Sequence, residues 1–234
     1  MSTNALQACL DILTTPTETF ALIKEKKHWS WAPFGLLIGT TTTLFLYYFS
    51  VVDFDWMVNK MLEKIAIENN MSQQELEITA EYMTKNSMLL STLIGGVIGI
   101  FSVNAITALF YYLVSKAYST TVMTYRMWLG FSWWTSMPGV VSVLLSMLVI
   151  MFSMEGLVTF EDLSPTSFGF LSNSSSPWFN LMNSLDLFSL WSIGLAALGL
   201  SNWLNLTFKQ SSLIALTPTF IVYLIWALYV SFSG

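Results

Sequence analysis

Five segments of the chain are long and almost free of charge. A helix needs about 20 mostly apolar residues to cross a bilayer, and segments 32–52, 88–115, 128–154, 185–208 and 213–232 meet this requirement. None contains Lys or Arg, and Asp186 is the only acidic residue within any of them. Charged residues make up 10% of the chain, whereas a soluble domain has about 25%. The sequence therefore predicts an all-α, polytopic helical membrane protein with five transmembrane helices, and it excludes a soluble enzyme.

The charged residues outside these spans are divided unequally between the two sides of the membrane. With five spans, one side receives most of the basic residues: Lys24, Lys26, Lys27, Lys116, Arg126 and Lys209. The other side receives ten of the 14 acidic residues but only Lys60, Lys64 and Lys85. Because cytoplasmic segments carry an excess of Lys and Arg, we expect a cytoplasmic N-terminus and a C-terminus on the opposite side.

Residues 1–31 are predicted to form cytosolic interfacial helices. Thr15 stands at an N-cap position, followed by Pro16 and, three residues after the cap, Glu18, which together are typical of a helix start. Phe20 and Ile23 then share one face, beside lysines able to reach lipid phosphates. The pattern favours an amphipathic helix that anchors the chain at the bilayer surface. Docking to a protein partner is the alternative.

The two longest segments between spans lie on the side opposite the N-terminus. In segment 53–87 an apolar helical stripe precedes Ser72 and Glu75, whose spacing is that of a capping box, so we predict an external helical hairpin. Segment 155–184 is rich in aromatic residues and is interrupted by Pro165 and Pro177. We expect this external aromatic loop to fold back onto the bundle, and a re-entrant segment is the alternative.

Polar residues within the spans are the candidate functional residues, because a polar group in hydrocarbon is costly. Asp186 lies near the start of the fourth span, where it would either cap the helix or act as a proton, cation or hydrogen-bonding site. Asn104 lies midway along the second span and is expected to form an interhelical hydrogen bond. Asn202 and Asn205, near the far end of the fourth span, favour packing and interface anchoring over a pocket for a lipid headgroup or substrate.

Small residues mark possible contacts between helices. Gly95 and Gly99 form a Gly-x-x-x-Gly face in the second span, and Gly194 and Ala197 lie on a face of small residues in the fourth. Such faces let two helix backbones approach closely. We expect them to pack within the bundle, with dimerisation as the less favoured alternative.

Two prolines and two scarce residue types add further constraints. Pro138 in the third span and Pro218 in the fifth are expected to kink or unwind their helices.

One Cys excludes an intramolecular disulfide or a cysteine zinc cluster, and one His excludes a His-rich metal site. Basic residues are too sparse for nucleic-acid binding. No catalytic, cofactor-binding or metal-binding residue is predicted, and no cofactor is expected.

Three stretches carry a family resemblance. They are TPTETFALI at 15–23, followed by WAP at 31–33; WWTSMP at 133–138; and NSLDLFSLW at 183–191, which continues to LGLS at 198–201. Together they resemble the YIP (Ypt/Rab-interacting protein) family of five-span membrane proteins, over nearly the whole chain. The resemblance implies a cytosolic N-terminus, five helices and an external C-terminus. It also implies association with Rab-type GTPases in eukaryotic members.

This chain looks more like the bacterial branch of that family. It lacks the long Pro/Gln-rich cytosolic arm of the eukaryotic members and has a large external hairpin instead. The bacterial resemblance implies residence in the plasma (inner) membrane, where Rab partners are absent. It carries over no catalytic residue.

These features favour a non-enzymatic function. The leading hypothesis is a membrane-organising or protein-interaction scaffold whose partners are the lipid bilayer and another membrane protein or a second copy of the chain. The alternative is a transporter, channel or lipid-handling protein, in which polar residues of the bundle contact a small molecule or a lipid. An intramembrane enzyme is a third and weaker hypothesis, because only one carboxylate lies within the spans.

Overall fold

The computed structural model describes residues 2–69, 71–118, 123–173 and 176–233. The helices, in chain order, are α1 (Ala5–Thr14), α2 (Pro16–Glu25), α3 (Trp31–Val51), α4 (Phe54–Asn69), α5 (Gln73–Tyr82), α6 (Lys85–Tyr118), α7 (Tyr125–Thr135), α8 (Pro138–Phe152), α9 (Phe179–Ser184), α10 (Leu187–Leu204) and α11 (Phe208–Ser233). Short 3₁₀ turns cover Lys27–Ser30, Glu161–Leu163 and Phe168–Leu171. Within the described residues there is no β-strand beyond one isolated bridge between Ser167 and Asp186.

Five helical segments are long and apolar enough to cross a membrane, which confirms the predicted fold class. They are Lys27–Val51, Lys85–Tyr118, Tyr125–Phe152, Leu187–Leu204 and Phe208–Phe232. The second span starts at Lys85 and ends at Tyr118, a few residues outside the predicted 88–115 at each end, because α6 includes the last residues of the predicted hairpin segment. The chain is an integral membrane protein.

The boundary between the fourth and fifth spans differs from the prediction. We expected spans over 185–208 and 213–232, but α10 ends at Leu204 because Asn205 adopts a left-handed conformation with φ of 54°. The next helix then starts at Phe208 rather than at residue 213. Thr207 and Gln210 cap this start: Thr207 N donates to Gln210 Oε1 at 3.1 Å, and Gln210 N donates to Thr207 Oγ1 at 3.4 Å.

The third span is interrupted where the sequence places a proline. Helix α7 ends at Thr135, and Pro138 occupies the first turn of α8. A proline has no N–H and disfavours a helical conformation in the residue before it. Pro218, in contrast, lies inside α11, which continues through it.

One end of the bundle, which we call the hairpin end, is closed by α4 and the aromatic loop. The Tyr48 hydroxyl donates to Val158 O at 2.8 Å, and Phe160 packs against Tyr48 and Phe49 at the end of α3. Met57 of α4 is buried in the same apolar cluster. The loop thus folds back onto the bundle, as its aromatic residues predicted. The capping box of α5 is also confirmed, since Ser72 and Glu75 exchange side-chain and backbone hydrogen bonds.

The opposite end, which we call the amino end, is filled by the N-terminal helices. Phe20 of α2 is 0% exposed and packs against Phe131, while Trp203 Nε1 donates to Phe20 O at 3.0 Å. Lys24 Nζ donates to Trp203 O at 3.0 Å and is therefore engaged within the protein. The expectation that Phe20 and Lys24 face lipid is wrong. The apolar face of α2 is buried against α10, because helices of the same chain offer a better-packed partner than the bilayer surface does.

Candidate functional site

A groove that combines polar and apolar side chains runs along the bundle between α6, the broken third span and α10. Its volume is about 500 Å³. The lining side chains come from four spans and are mostly small or polar: Leu37, Gly99, Ile100, Val103, Asn104, Ser136, Gly139, Ser142, Asp186, Phe188, Ser189 and Ser192. Asp186 and Asn104, two of the polar residues predicted from the sequence, therefore line the same groove.

Asn104 connects α6 to the break in the third span. It is 6% exposed, and its amide Nδ2 donates to Ile100 O at 3.0 Å in the preceding turn. Ser136 Oγ lies 3.1 Å from Asn104 Oδ1 and 2.9 Å from Ser132 O, so one hydroxyl proton is shared between two acceptors. Ser136 is available because α7 ends one residue earlier. The break ahead of Pro138 thus supplies the hydrogen bond that a buried asparagine requires.

Asp186 is the N-cap of α10. Its Oδ1 accepts from Ser189 N at 2.6 Å, and its backbone lies in the isolated bridge with Ser167 of the aromatic loop. Leu187 N donates to Thr166 O at 3.3 Å, which fixes the start of α10 against that loop. A capping carboxylate is stabilised by the free N–H groups of the first turn. Because Asp186 also lines the groove, it presents a charged group at one end of it.

Two sets of residues spaced by three positions bring the other polar groups into the groove. Asp186, Ser189 and Ser192 are each three residues apart on α10, and Ser136 and Ser142 lie three residues on either side of Gly139. Residues three apart share one face of a helix. Within the described part of the chain, the hydroxyls of Ser142, Ser189 and Ser192 make no hydrogen bond. They are available to a group that enters the groove.

The remaining predicted polar residues lie elsewhere. Asn202 and Asn205 lie at the C-terminal end of α10, which is at the amino end of the bundle, and they do not line the groove. Asn205 instead ends the helix in a left-handed conformation, to which asparagine is better suited than most residues. The sequence analysis missed the serines at 136, 142, 189 and 192. The spacing of three between Asp186, Ser189 and Ser192 is the one signal in the sequence, but serine is too common in membrane helices for this spacing to indicate a site.

The predicted small-residue faces are not packed as expected. In the described structure, no atom lies within 4 Å of the position that a Cβ would take at Gly95, Gly99 or Gly194. Ala197 is buried in the core at the amino end. The close helix contact occurs instead at Gly199, where a Cβ would lie 2.5 Å from the Phe131 ring and 2.7 Å from the Phe20 ring.

The groove lacks the groups that common active sites require. Among the described residues, Asp186 is the only carboxylate that lines it, and neither His28 nor Cys9 does. Among the described residues, no group of three or more His, Cys, Asp or Glu side chains is placed to hold a metal ion. The groove therefore offers hydrogen-bonding side chains beside backbone that is left bare at Gly99 and Gly139.

Comparison with known proteins gives one match. A family model described as the Yip1 domain matches residues 10–229, from within α1 to near the end of α11, and so includes every residue that lines the groove. Comparisons with curated proteins and with solved structures gave no match.

Proposed function

The chain belongs to the Yip1-domain family of membrane proteins, and on this basis we propose that it is a non-enzymatic interaction scaffold. In this proposal its groove binds a transmembrane helix of another membrane protein. The observation that carries it is the unpacked backbone at Gly99, in a groove that the unused hydroxyls of Ser142, Ser189 and Ser192 also line.

The shape of the groove suits a helix. Gly99 of α6 and Gly139 of α8 both line it, and no atom of the described residues lies within 4 Å of a Cβ position at Gly99. Small residues let helix backbones approach closely, and close van der Waals contact drives association where lipid removes the hydrophobic driving force. A side chain or backbone from a partner helix would fill this space.

The polar groups supply specificity. A polar group on a partner helix would pair with Ser142, Ser189 or Ser192, whose hydroxyls are not used by the described part of this chain. Hydrogen bonds between membrane helices contribute about 0.6 kcal/mol each, and up to about 1.7 kcal/mol. A lipid chain would gain nothing from these groups, so the groove favours a polar partner helix over bulk lipid.

The membrane and orientation form part of the proposal. We place the chain in a bacterial plasma membrane with the amino end cytoplasmic and the C-terminus outside. The distribution of basic residues supports this orientation, because Lys24, Lys27 and Arg126 lie at the amino end.

Site-specific photo-crosslinking in native membranes tests this function. A photo-reactive residue is placed at Val103, which is 65% exposed and lines the groove. The matched control is Ile98, which is 60% exposed on the same helix but lies about 140° around it and outside the groove. We expect a discrete protein adduct from Val103 and only lipid adducts from Ile98.

Other adducts would change the proposal in defined ways. An adduct to a second copy of the chain would identify a homo-oligomer in place of a different partner. Lipid adducts alone at both positions would contradict helix binding.

Lipid handling or transport is the second candidate, because Asp186 places a charged group in a groove of about 500 Å³. This function predicts that a polar lipid or small molecule crosses or enters the bilayer in proteoliposomes, and that Asp186→Asn slows it. Equal rates for the unmodified chain and Asp186→Asn would count against it.

A further inference from the structure

A second cavity lies at the amino end and is distinct from the groove. Its volume is about 610 Å³, and it opens between the 3₁₀ turn Lys27–Ser30 and α7. Three basic side chains line it, Lys27, His28 and Arg126, together with aromatic residues that include Trp31 and Trp133.

The chain topology explains why Lys27 and Arg126 line the same cavity. Spans one and three run in the same direction, so α3 and α7 both begin at the amino end. The 3₁₀ turn that carries Lys27 and His28 then packs closely on α7, where a Cβ at Gly130 would collide with Ser30 Oγ. A larger residue at 130 would therefore push the turn, with its two basic residues, away from Arg126.

The cations of this cavity are not neutralised by the protein. Among the described residues, Lys27, His28 and Arg126 have no acidic partner within 4.0 Å. Other lysines are engaged: Lys24 with Trp203 O, and Lys116 over the Tyr112 ring. Lys27 and Arg126 bring two positive charges to one cavity, so an anion between them would stabilise this arrangement.

The N-terminal ends of two helices add to the positive electrostatic potential of this cavity. The N-caps of α3 and α7 are Ser30 and Thr124, both line the cavity, and neither makes a side-chain capping hydrogen bond. Helix α3 continues from the 3₁₀ turn, so its dipole starts at Lys27, whereas the first N–H groups of α7 have no side-chain acceptor at Thr124. The positive ends of both helix dipoles therefore lie at the cavity. Backbone N–H groups and arginine are well suited to phosphate oxygens.

We propose that this basic cavity binds one phosphate-bearing anion. Lipids offer such a group as a headgroup phosphodiester, and solution offers it as free phosphate. The aromatic wall favours the lipid, because Trp31 is 60% exposed at the start of the first span, where tryptophan marks the level of the headgroups. Phe34 packs edge-on against Trp133 in the same wall, with ring centroids 5.0 Å apart.

Native mass spectrometry of the full chain from lipid nanodiscs tests the proposal. Three preparations are compared: phosphatidylcholine alone, phosphatidylcholine with phosphatidylglycerol, and phosphatidylcholine with inorganic phosphate in the buffer. We expect one phosphatidylglycerol molecule to remain bound per chain. Arg126→Gln and Lys27→Gln should each weaken its retention about tenfold, the effect of losing one charge-assisted hydrogen bond.

Lys26→Gln and Lys209→Gln are the controls, because each removes one exposed positive charge at the amino end but neither side chain lines the cavity. They should retain the lipid as the unmodified chain does. Equal retention in all five proteins, or no preference for phosphatidylglycerol, would overturn the proposal. Retained inorganic phosphate that is lost in Arg126→Gln would support the cavity and identify free phosphate as its ligand.

Discussion

At the scale of single residues, Gly199 lies at a close helix contact at the amino end. A Cβ at this position would lie 2.5 Å from the Phe131 ring and 2.7 Å from the Phe20 ring, both of which are buried. Gly199→Ala should therefore lower the free energy of unfolding by about 1–3 kcal/mol through overpacking. Thermal unfolding in detergent measures this loss.

Gly194→Ala is the matched control on the same helix. No atom lies within 4 Å of its Cβ position among the described residues. This substitution should leave stability unchanged or raise it by up to about 1 kcal/mol, because alanine is the better helix former. Equal destabilisation by both substitutions would show that the contact of Gly199 with the two rings is not the cause.

Cys9 is a buried thiol that should resist labelling. It is 1% exposed in α1, and burial raises the pKa of its thiol to about 12. Because the thiolate is the reactive form, a maleimide at neutral pH should label the folded chain much more slowly than the denatured chain. Mass spectrometry of labelled protein gives both rates. Comparable rates in the two states would contradict the docking of α1.

At the scale of secondary-structure elements, α2 is predicted to act as a packed helix of the bundle. Phe20→Ala removes a ring that is 0% exposed, and such a truncation costs about 3–5 kcal/mol. It should also make Lys24, the lysine of α2, more accessible to trypsin. Leu10→Ala, at an exposed position of α1, should change neither property. Unchanged proteolysis of the Phe20→Ala chain would show that α2 does not need this contact.

The hairpin is joined to the aromatic loop by a salt bridge. Lys64 Nζ lies 2.7 Å from Glu161 Oε1. Burial raises the pKa of the Glu161 carboxyl, but hydrogen bonding and attraction to Lys64 outweigh this effect and hold that pKa below its ordinary value. Because the pKa of Glu161 is lowered in the folded chain, the salt bridge stabilises the folded chain at neutral pH. It declines as the pH falls below about 4.3, the ordinary value for Glu.

Lys64→Met should therefore reduce stability at neutral pH by less than about 1 kcal/mol, because the pair is partly exposed. The difference from the unmodified chain should shrink as the pH falls toward about 3. Lys60→Met is the control, since its pair with Glu63 lies within α4 and is more exposed. A Lys64→Met effect that grows on acidification would contradict the role of the salt bridge.

The elements also show what could be predicted from sequence and why. The five spans were found because hydrocarbon imposes one length and one composition on every helix that crosses it. The capping box at Ser72 was found because it depends on residues close in sequence. The burial of Phe20 was not found, because an apolar stripe looks the same whether it faces lipid or another helix.

The groove shows the same limit for the candidate site. Asp186 and Asn104 were recognisable one at a time, because each is a costly group within a span. Their common groove, and the part that Ser136 plays in it, depend on which faces of α6, α8 and α10 meet. No pattern within a single span contains that information.

At the scale of the whole molecule, the bundle has a packed cluster near each end and a groove between the two clusters. Apolar clusters rich in aromatic residues pack at the amino end and the hairpin end, whereas the groove between them combines glycine, serine, asparagine and Asp186 with apolar residues of four spans. Firm packing at the two ends would hold the groove in one shape while a partner enters. Binding at the groove should therefore require no rearrangement of the ends.

The most direct test of helix binding fills the groove. Gly99→Leu is introduced into the chain that carries the photo-reactive residue at Val103, and Gly39→Leu serves as the control. Gly39 also has no atom within 4 Å of its Cβ position among the described residues, and it does not line the groove. We predict that Gly99→Leu abolishes the protein adduct at unchanged thermal stability, while Gly39→Leu preserves it. A protein adduct that survives Gly99→Leu at full yield would contradict the account.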